Sequence, residues 1–461
     1  RTFMYSLDDT IAAIATSIGH SGVGIIKVSG PEAHPIAHRL FRSARGVTDF
    51  QPYRLHYGQI IDPNTDQPVD EALVVYMPKP RSYTCQDVIE IQAHGGIVPL
   101  QKILQLVLSR GARLAEPGEM TLRAFLNGRL DLAQAEAVLD IIQAKTDAAL
   151  RVANEQLGGT LSGQVQKVRA ELLHTLAYLE ASIDFVEDEI PPQAVIPPLQ
   201  AAAGQLADLI QSADYGQIYR QGVRAAIVGR PNVGKSSLLN ALLRGNRAIV
   251  TDIPGTTRDT LEETVNIRGI PLALVDTAGI RAEVSDEVER IGVDRSRAAL
   301  GQADLALMVV DSSTPLEAAD REIAAAIGQK PVILAINKTD LTADAAAPQL
   351  DEFLPAAPRV EISALNLTGI ETLETAVADL ILGGKVTPSD TPLVSNPRHK
   401  ALLEQALQHV ESAVSAHQAE VSADLVSIDV RGAVETLGEI TGETVTEDLL
   451  DTIFSNFCIG K

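Results

Sequence analysis

Gly229-Arg230-Pro231-Asn232-Val233-Gly234-Lys235-Ser236 is the stretch on which the reading of this chain turns. It fits the pattern G-x-x-x-x-G-K-[ST], and its flanks suit that pattern. The apolar run Val223 to Val228 reads as a buried strand leading in, and Ser237 to Leu243 reads as a helix leading out. Backbone N–H groups of such a loop point inward at phosphate oxygens, and the helix N-terminus adds partial positive charge. Lys235 is then expected to bridge β- and γ-phosphates, with the Ser236 hydroxyl on Mg²⁺ and Asn232, Val233, Gly234 and Ser237 completing the cradle.

Working outward, further elements follow in the order a nucleotide switch needs. Thr251-Asp252-Ile253-Pro254-Gly255-Thr256-Thr257 is a polar segment whose Thr257 can reach Mg²⁺ when a γ-phosphate is present. Asp276-Thr277-Ala278-Gly279 ends the apolar run Leu272 to Val275, placing Asp276 to hold Mg²⁺ through water and the Gly279 N–H to meet the γ-phosphate. Asn337-Lys338-Thr339-Asp340 follows another strand, Val332 to Ile336. The Asp340 carboxylate can accept two hydrogen bonds from the ring N–H and exocyclic amine of guanine. Adenine lacks that donor pair and would leave the charge unmet. Ser363-Ala364-Leu365, after one more strand, offers a backbone N–H to the guanine carbonyl. GTP is the expected nucleotide.

One position departs from the common small-GTPase pattern. The glutamine that often follows this second phosphate-sensing segment and orients the attacking water is Ile280 here. An aliphatic side chain cannot orient water, so another group or a partner must. Asp286, Glu287, Glu289 and Arg290 are the candidates, and spacing does not choose between them. Asn232 adds a hint, since a side-chain carbonyl there could ligate a monovalent cation beside the phosphates.

The whole chain has 461 residues, enough for two to four domains, and carries a net charge of −22. Residues 1–130 are nearly neutral, with 13 Lys/Arg against 12 Asp/Glu, so the acidity lies beyond them. Such a body does not bind polyanions nonspecifically, and any RNA contact must come from a local patch or through a partner. Two distant cysteines, Cys85 and Cys458, fit no metal-ligand spacing and predict a reducing, cytoplasmic setting. No apolar run is long enough for a bilayer, and no secretory leader is read.

Residues 1–118 mix short strands with turns (Thr10 to Ala15, Val23 to Val28, Ala72 to Tyr76, Asp87 to Gln92) and a helical stretch from Pro99 to Leu108. From Thr121 the pattern turns helical: Leu130, Leu132, Ala135, Val138, Leu139 and Ile142, then Leu172, Leu176, Leu179 and Ile183. Pro191-Pro192 and Pro197-Pro198 are read as breaks, followed by a helix to about Tyr219. Strand–helix alternation occupies 222–384, and helices resume from Pro397. The expected fold is multidomain α+β: an N-terminal α/β domain (1–118), a helical domain in two parts (119–221 and 385–461), and a Ras-like α/β GTPase domain (222–384) inserted between them.

The chain closely resembles the tRNA-modification GTPase family MnmE (TrmE). The resemblance is carried by Thr10 to Ala15, Gly22 to Gly30, Ser82-Tyr83-Thr84, Asp87 to Glu90 with His94-Gly95-Gly96, Pro117-Gly118-Glu119-Met120-Thr121-Leu122-Arg123-Ala124-Phe125-Leu126-Asn127-Gly128-Arg129, the GTPase segments, and terminal Cys458-Ile459-Gly460-Lys461. It implies a homodimer whose N-terminal domain dimerises and binds 5-formyl- or methylene-tetrahydrofolate through Lys27, Glu90, Arg129 and Lys461. It implies potassium on Asn232, Thr251, Ile253 and Thr256, Mg²⁺ on Ser236 and Thr257, Glu289 positioning the water, and Cys458 as a second catalytic residue. It further implies a flavoprotein partner, MnmG, which brings FAD to a heterotetramer. That assembly installs a carboxymethylaminomethyl or aminomethyl group at carbon five of the wobble uridine of certain tRNAs. Lys27 stands where many members have Arg, which exchanges a bidentate fork for a point charge.

Two rival readings bear on the chemistry. Cys458 superficially fits a prenylation box, but the final Lys, the preceding Gly and the acidic Glu447, Asp448 and Asp451 upstream oppose it. A buried or site-lining thiol is expected instead, delivered by a helix whose apolar face is Leu449, Leu450, Ile453, Phe454 and Phe457. The other is a ribosome-assembly or RNA-binding GTPase switch without modification chemistry, which calls for a basic module that this sequence does not show.

Overall fold

The structure, a computed structural model, describes residues 8–17, 19–46, 48–184, 193–246, 263–275, 297–341, 353–383 and 394–461. The chain divides into two compact units: Arg1–Leu139 with Leu157–Ile190 and Ala423–Lys461, and Asp140–Gln156 with Pro191–Ser422.

The first unit is built on a seven-stranded sheet of β1 (Ile11–Ile14), β2 (Ser21–Ser29), β3 (Phe41–Ser43), β4 (Leu55–Asp62), β5 (Gln67–Met77), β6 (Val88–Gly95) and β7 (Arg113–Leu114), in the order β3-β4-β5-β6-β2-β1-β7. All neighbours are antiparallel except β1 and β7. Strand parity sends Ile26 and Val28 of β2, Val74 of β5, and Ile89 and Ile91 of β6 into one core with Ile36, Leu40, Leu100 and Ile103 from helices Ala33–Leu40 and Ile97–Ser109. The opposite parity puts Lys27 and Glu90 side by side on the other face, directly paired across β2 and β6. Helix Thr160–Asp184 packs along helix Ala423–Thr441, and helix Glu447–Phe454 packs on helix Glu119–Leu126.

The second unit holds a six-stranded sheet: β8 (Val223–Val228), β9 (Glu263–Ile267), β10 (Ile270–Val275), β11 (Leu305–Asp311), β12 (Val332–Asn337) and β13 (Arg359–Glu361), ordered β13-β12-β11-β8-β10-β9. Only β9 runs antiparallel to its neighbour. Both faces are covered, which is why the central strands β10, β11 and β12 are apolar nearly throughout. Along β11, Leu305, Leu307 and Val309 join a core with helices Lys235–Asn246 and Ile370–Leu382, while Ala306, Met308 and Val310 join another with helix Ala318–Ile327. The strand order reverses at β8, so the crevice beyond its carboxyl end is where ligands of such sheets bind.

Helix Ile196–Gln221 lies against helix Pro397–Gln418. Gly216 lets the neighbouring backbone approach, because a Cβ there would sit 2.2 Å from the Val394 carbonyl oxygen. One sequence expectation is corrected here. Pro197-Pro198 does not break a helix but opens this one, at positions whose N–H groups have no partner within a helix anyway.

Candidate functional site

The loop 229–236 leaves β8 at the reversal point and enters the helix at Lys235. Its shape depends on two glycines. A Cβ on Gly229 would lie 2.4 Å from the Val309 carbonyl oxygen, and one on Gly234, at φ +100°, would lie 2.1 Å from Asn337 Nδ2. Lys235 is buried, and its ammonium donates to the carbonyls of Gly229 (2.8 Å) and Arg230 (2.7 Å). Val233 anchors the loop in the core below, whereas Asn232 and Ser237 are exposed and Asn232 adopts left-handed backbone at φ +64°.

The base-reading loops are joined to this one by Asn337. Its buried amide donates to the Val233 carbonyl (2.8 Å) and accepts from the Ala364 N–H (3.0 Å), so three expected contact segments share one side chain. Lys338, at φ +66°, reaches Asp311 (2.6 Å). Burial pushes the Asp311 carboxyl up, but Lys338 and Ser313 outweigh it and hold it below the usual range. The Asp340 carboxylate accepts from Ser363 Oγ (2.5 Å), which fixes its rotation. Leu365 is the exposed tip of that loop. Together these residues offer a glycine-shaped loop, a cation and an oriented carboxylate, groups that suit phosphates and a guanine edge. The segment 251–257, the segment 276–279 and Ile280, Asp286, Glu287, Glu289 and Arg290 lie outside the described residues.

A second cluster stands in the first unit. Lys27 and Glu90 approach to 3.9 Å. Tyr83 has the Arg129 guanidinium 4.7 Å and the Lys27 ammonium 5.7 Å from its ring centre, distances of cation–π attraction. Arg129 also donates to the Tyr83 carbonyl (3.0 Å), and the Tyr83 hydroxyl meets Thr121 Oγ1 (2.9 Å). Burial lowers the Lys27 pKa, Glu90 opposes that, and the charge of Lys461 adds to it. Lys461 therefore belongs to the cluster. The chain reaches it because Ile459 pairs with Pro117, and because Gly460, at φ +90°, passes where a Cβ would lie 2.7 Å from the Ile14 carbonyl oxygen. Leu450, Ile453, Phe454 and Phe457 anchor that segment against Leu122 and Leu132, as their spacing predicts. Of the two expectations for Cys458, a buried or a site-lining thiol, the first is corrected: Cys458 is exposed, and its carbonyl accepts from the Gly118 N–H (3.4 Å). Three cations and one carboxylate around an aromatic ring suit a ligand with carboxylates and a flat hydrogen-bonding ring.

Sequence reasoning missed the ion network that holds this corner. Arg123 is buried and donates to the Asp9 carbonyl (2.9 Å), the Asp9 carboxylate, Gln86 Oε1 (3.1 Å) and Glu119 Oε1 (3.0 Å). Arg113 holds both Glu119 oxygens, at 3.0 and 2.7 Å. The signal was present in the run from Pro117 to Arg129, whose Glu119 and Arg123 are spaced for an i,i+4 pair. The exposed His94 meets Asp70 through its Nδ1 (2.7 Å), which raises its pKa.

Residues 10–129 match the family described as GTP-binding protein TrmE N-terminus, and residues 132–458 match the family described as MnmE helical domain. A relative from Desulforamulus reducens is 49% identical over 461 residues, covering 99% of this chain and 100% of the relative. One from Geobacillus thermodenitrificans is 50% identical over 459 residues (98% and 99%), and one from a Roseiflexus species is 51% identical over 462 residues (98% and 99%). All three are named tRNA modification GTPase MnmE. Among the described residues, no helix is long and apolar enough to cross a membrane.

Proposed function

The chain belongs to the MnmE (TrmE) family of tRNA modification GTPases, and from that premise we propose that it hydrolyses GTP with Mg²⁺ in the service of tRNA modification. The observation that carries the nucleotide reading is Asn337, which ties the phosphate loop to the loop that fixes Asp340. Phosphate and base recognition are thereby set at one spacing, and a rigid spacing limits the ordering cost of binding.

Lys235, oriented by its two carbonyls, would hold the β- and γ-phosphates, and the N–H groups of 232–237 would supply further donors to them. Mg²⁺ suits the hydroxyls of Ser236 and Thr257, hard oxygen donors, and supplies charge neutralisation when bound. Potassium is assigned to Asn232, Thr251, Ile253 and Thr256, and Glu289 orients the water that Ile280 cannot. The exposed, left-handed Asn232 supports the first of these ligands. In the first unit, Lys27, Arg129 and Lys461 bind the carboxylates of a tetrahydrofolate and Glu90 accepts from its pterin. The closeness of Lys461 to Lys27 supports that site. The domain plan (1–118 for folate and dimerisation, 119–221 and 385–461 helical, 222–384 for GTP), the homodimer, the MnmG flavoprotein with its FAD, and the wobble uridine as target complete the proposal.

The test is nucleotide titration with tRNA analysis. Asp340→Asn should weaken GTP binding about a hundredfold or more, since a carboxylate matched to two donors is lost. Tight binding of ATP by the parent protein, or unchanged wobble uridines in tRNA from cells lacking it, refutes the reading.

A further inference from the structure

Arg230, inside the phosphate loop, points its side chain away from the loop toward the start of helix Ala318–Ile327. Its Nε lies 2.7 Å from Asp320 Oδ2, its Nη2 donates to Thr314 Oγ1 and the Pro315 carbonyl (both 3.3 Å), and its Nη1 pairs with Glu317. Asp320 is fully buried. The same Oδ2 accepts the Glu317 N–H (2.9 Å), which makes Asp320 one half of a capping box. An acidic residue at that helix position completes its role with the cap. Here it also forms an ion pair with a guanidinium from another loop, although Arg230 Nε and Asp320 Oδ1 make no hydrogen bond among the described residues, and the carbonyl of that very arginine is one of the two that hold Lys235.

We propose that Asp320 is a positioning residue for the nucleotide site, acting through Arg230: it fixes the carbonyls of Gly229 and Arg230 and so sets where the Lys235 ammonium waits. The inference rests on the nucleotide reading above. A buried carboxylate holds one geometry far better than an exposed one, because loosening it leaves charge without water or partner. Its influence passes from Asp320 to the Arg230 guanidinium, along that residue's backbone, and on to Lys235.

Charge separates this role from a mere electrostatic one. Removing a negative charge near a polyanion's site should tighten binding, whereas loosening the loop should weaken it. The experiment titrates fluorescent GDP and GTP analogues into the full-length protein and measures steady-state hydrolysis. Asp320→Asn is expected to raise both dissociation constants about tenfold and KM alike, with kcat within about twofold, because loop order serves both nucleotides equally. The double variant Arg230→Leu, Asp320→Leu keeps net charge unchanged and replaces a buried pair by apolar groups, a change often neutral for stability. It also gives up the cap on the Glu317 N–H, so it should melt a few degrees below the parent and still bind weakly, and it carries the test should the single variant fail to fold. Equal or tighter binding by Asp320→Asn, or affinity recovered together with stability in the double variant, overturns the inference. A parent protein that binds no guanine nucleotide overturns the nucleotide reading and this inference with it.

Discussion

The loop 229–236 and the corner around Tyr83 gather their groups in different ways. In the loop, shape comes from neighbouring backbone, two glycines and one buried neutral amide, Asn337, reaching across from the end of β12. Around Tyr83, charged side chains arrive from β2, β6, the residues after helix Glu119–Leu126 and the C-terminal segment. Four like and unlike charges drawn together must be held against repulsion and desolvation, and the Asp9, Arg113, Glu119, Arg123 network braces the chain segments beside them. A cradle of backbone N–H groups can be fixed by contacts nearby. A cluster of cations needs a scaffold of its own.

The sharpest way to break this contrast is to remove one partner from that scaffold. Arg123→Met takes away the buried guanidinium between Asp9 and Glu119, leaving Arg113 as their remaining cation, and should cost about 2–3 kcal/mol of stability, the usual effect of losing hydrogen bonds between charged groups. Urea unfolding of the full-length protein followed at Tyr83 reads it, and a loss below 1 kcal/mol would show the network to be dispensable. Asn337→Ala tests the other region. It leaves the Val233 carbonyl and the Ala364 N–H to find water, at about 1–3 kcal/mol, and should weaken GTP binding about ten- to a hundredfold with the Tyr83 corner unaffected.

Acid tests the scaffold of the Tyr83 corner as well. Burial alone would raise the carboxyls of Asp9 and Glu119, but Arg123 and Arg113 outweigh it, and both stand below their ordinary values. A depressed carboxyl contributes stability above its unfolded pKa, about 3.9 for Asp and 4.3 for Glu, and loses it as pH falls through the folded value. The first unit should therefore hold its stability to about pH 4.5 and decline below about pH 4, with Glu119→Gln flattening that decline in a pH series of urea titrations. The smallest effect belongs to exposed His94. Asp70 raises its pKa, so its contribution is complete below the unfolded value of about 6.5 and fades as pH rises through the folded one. Asp70→Asn should bring its NMR titration midpoint down, and an unmoved midpoint would remove Asp70 as the cause.

How much of this could be read beforehand follows the same division. Val223–Val228 was legible to the residue, and β10 and β12 nearly so, because a strand buried on both faces is largely apolar, with Arg224 near the start of the first as an exception. β4 was missed: Leu55-His56-Tyr57-Gly58 alternates weakly, and Gly58 reads as a turn. It is glycine for another reason, since a Cβ there would meet the Arg42 carbonyl oxygen at 2.3 Å. Lys27, Glu90, Arg129 and Lys461 were found only through family resemblance, because no local period links residues that distant. Arg123 was quoted in a motif, yet nothing in one sequence tells a buried arginine from an exposed one.

The pairing of Pro117 with Ile459 also bears on how the chain comes off the ribosome. The first unit takes its strands from the beginning of the chain and its last two helices from the end. Its sheet can form early, but the seam beside Gly118 stays open until residues 457–461 emerge, long after the GTP-binding sheet has been synthesised. The earliest-made part of the molecule is therefore closed late, and a chain stalled near residue 440 would carry a finished nucleotide sheet and an unsealed first unit.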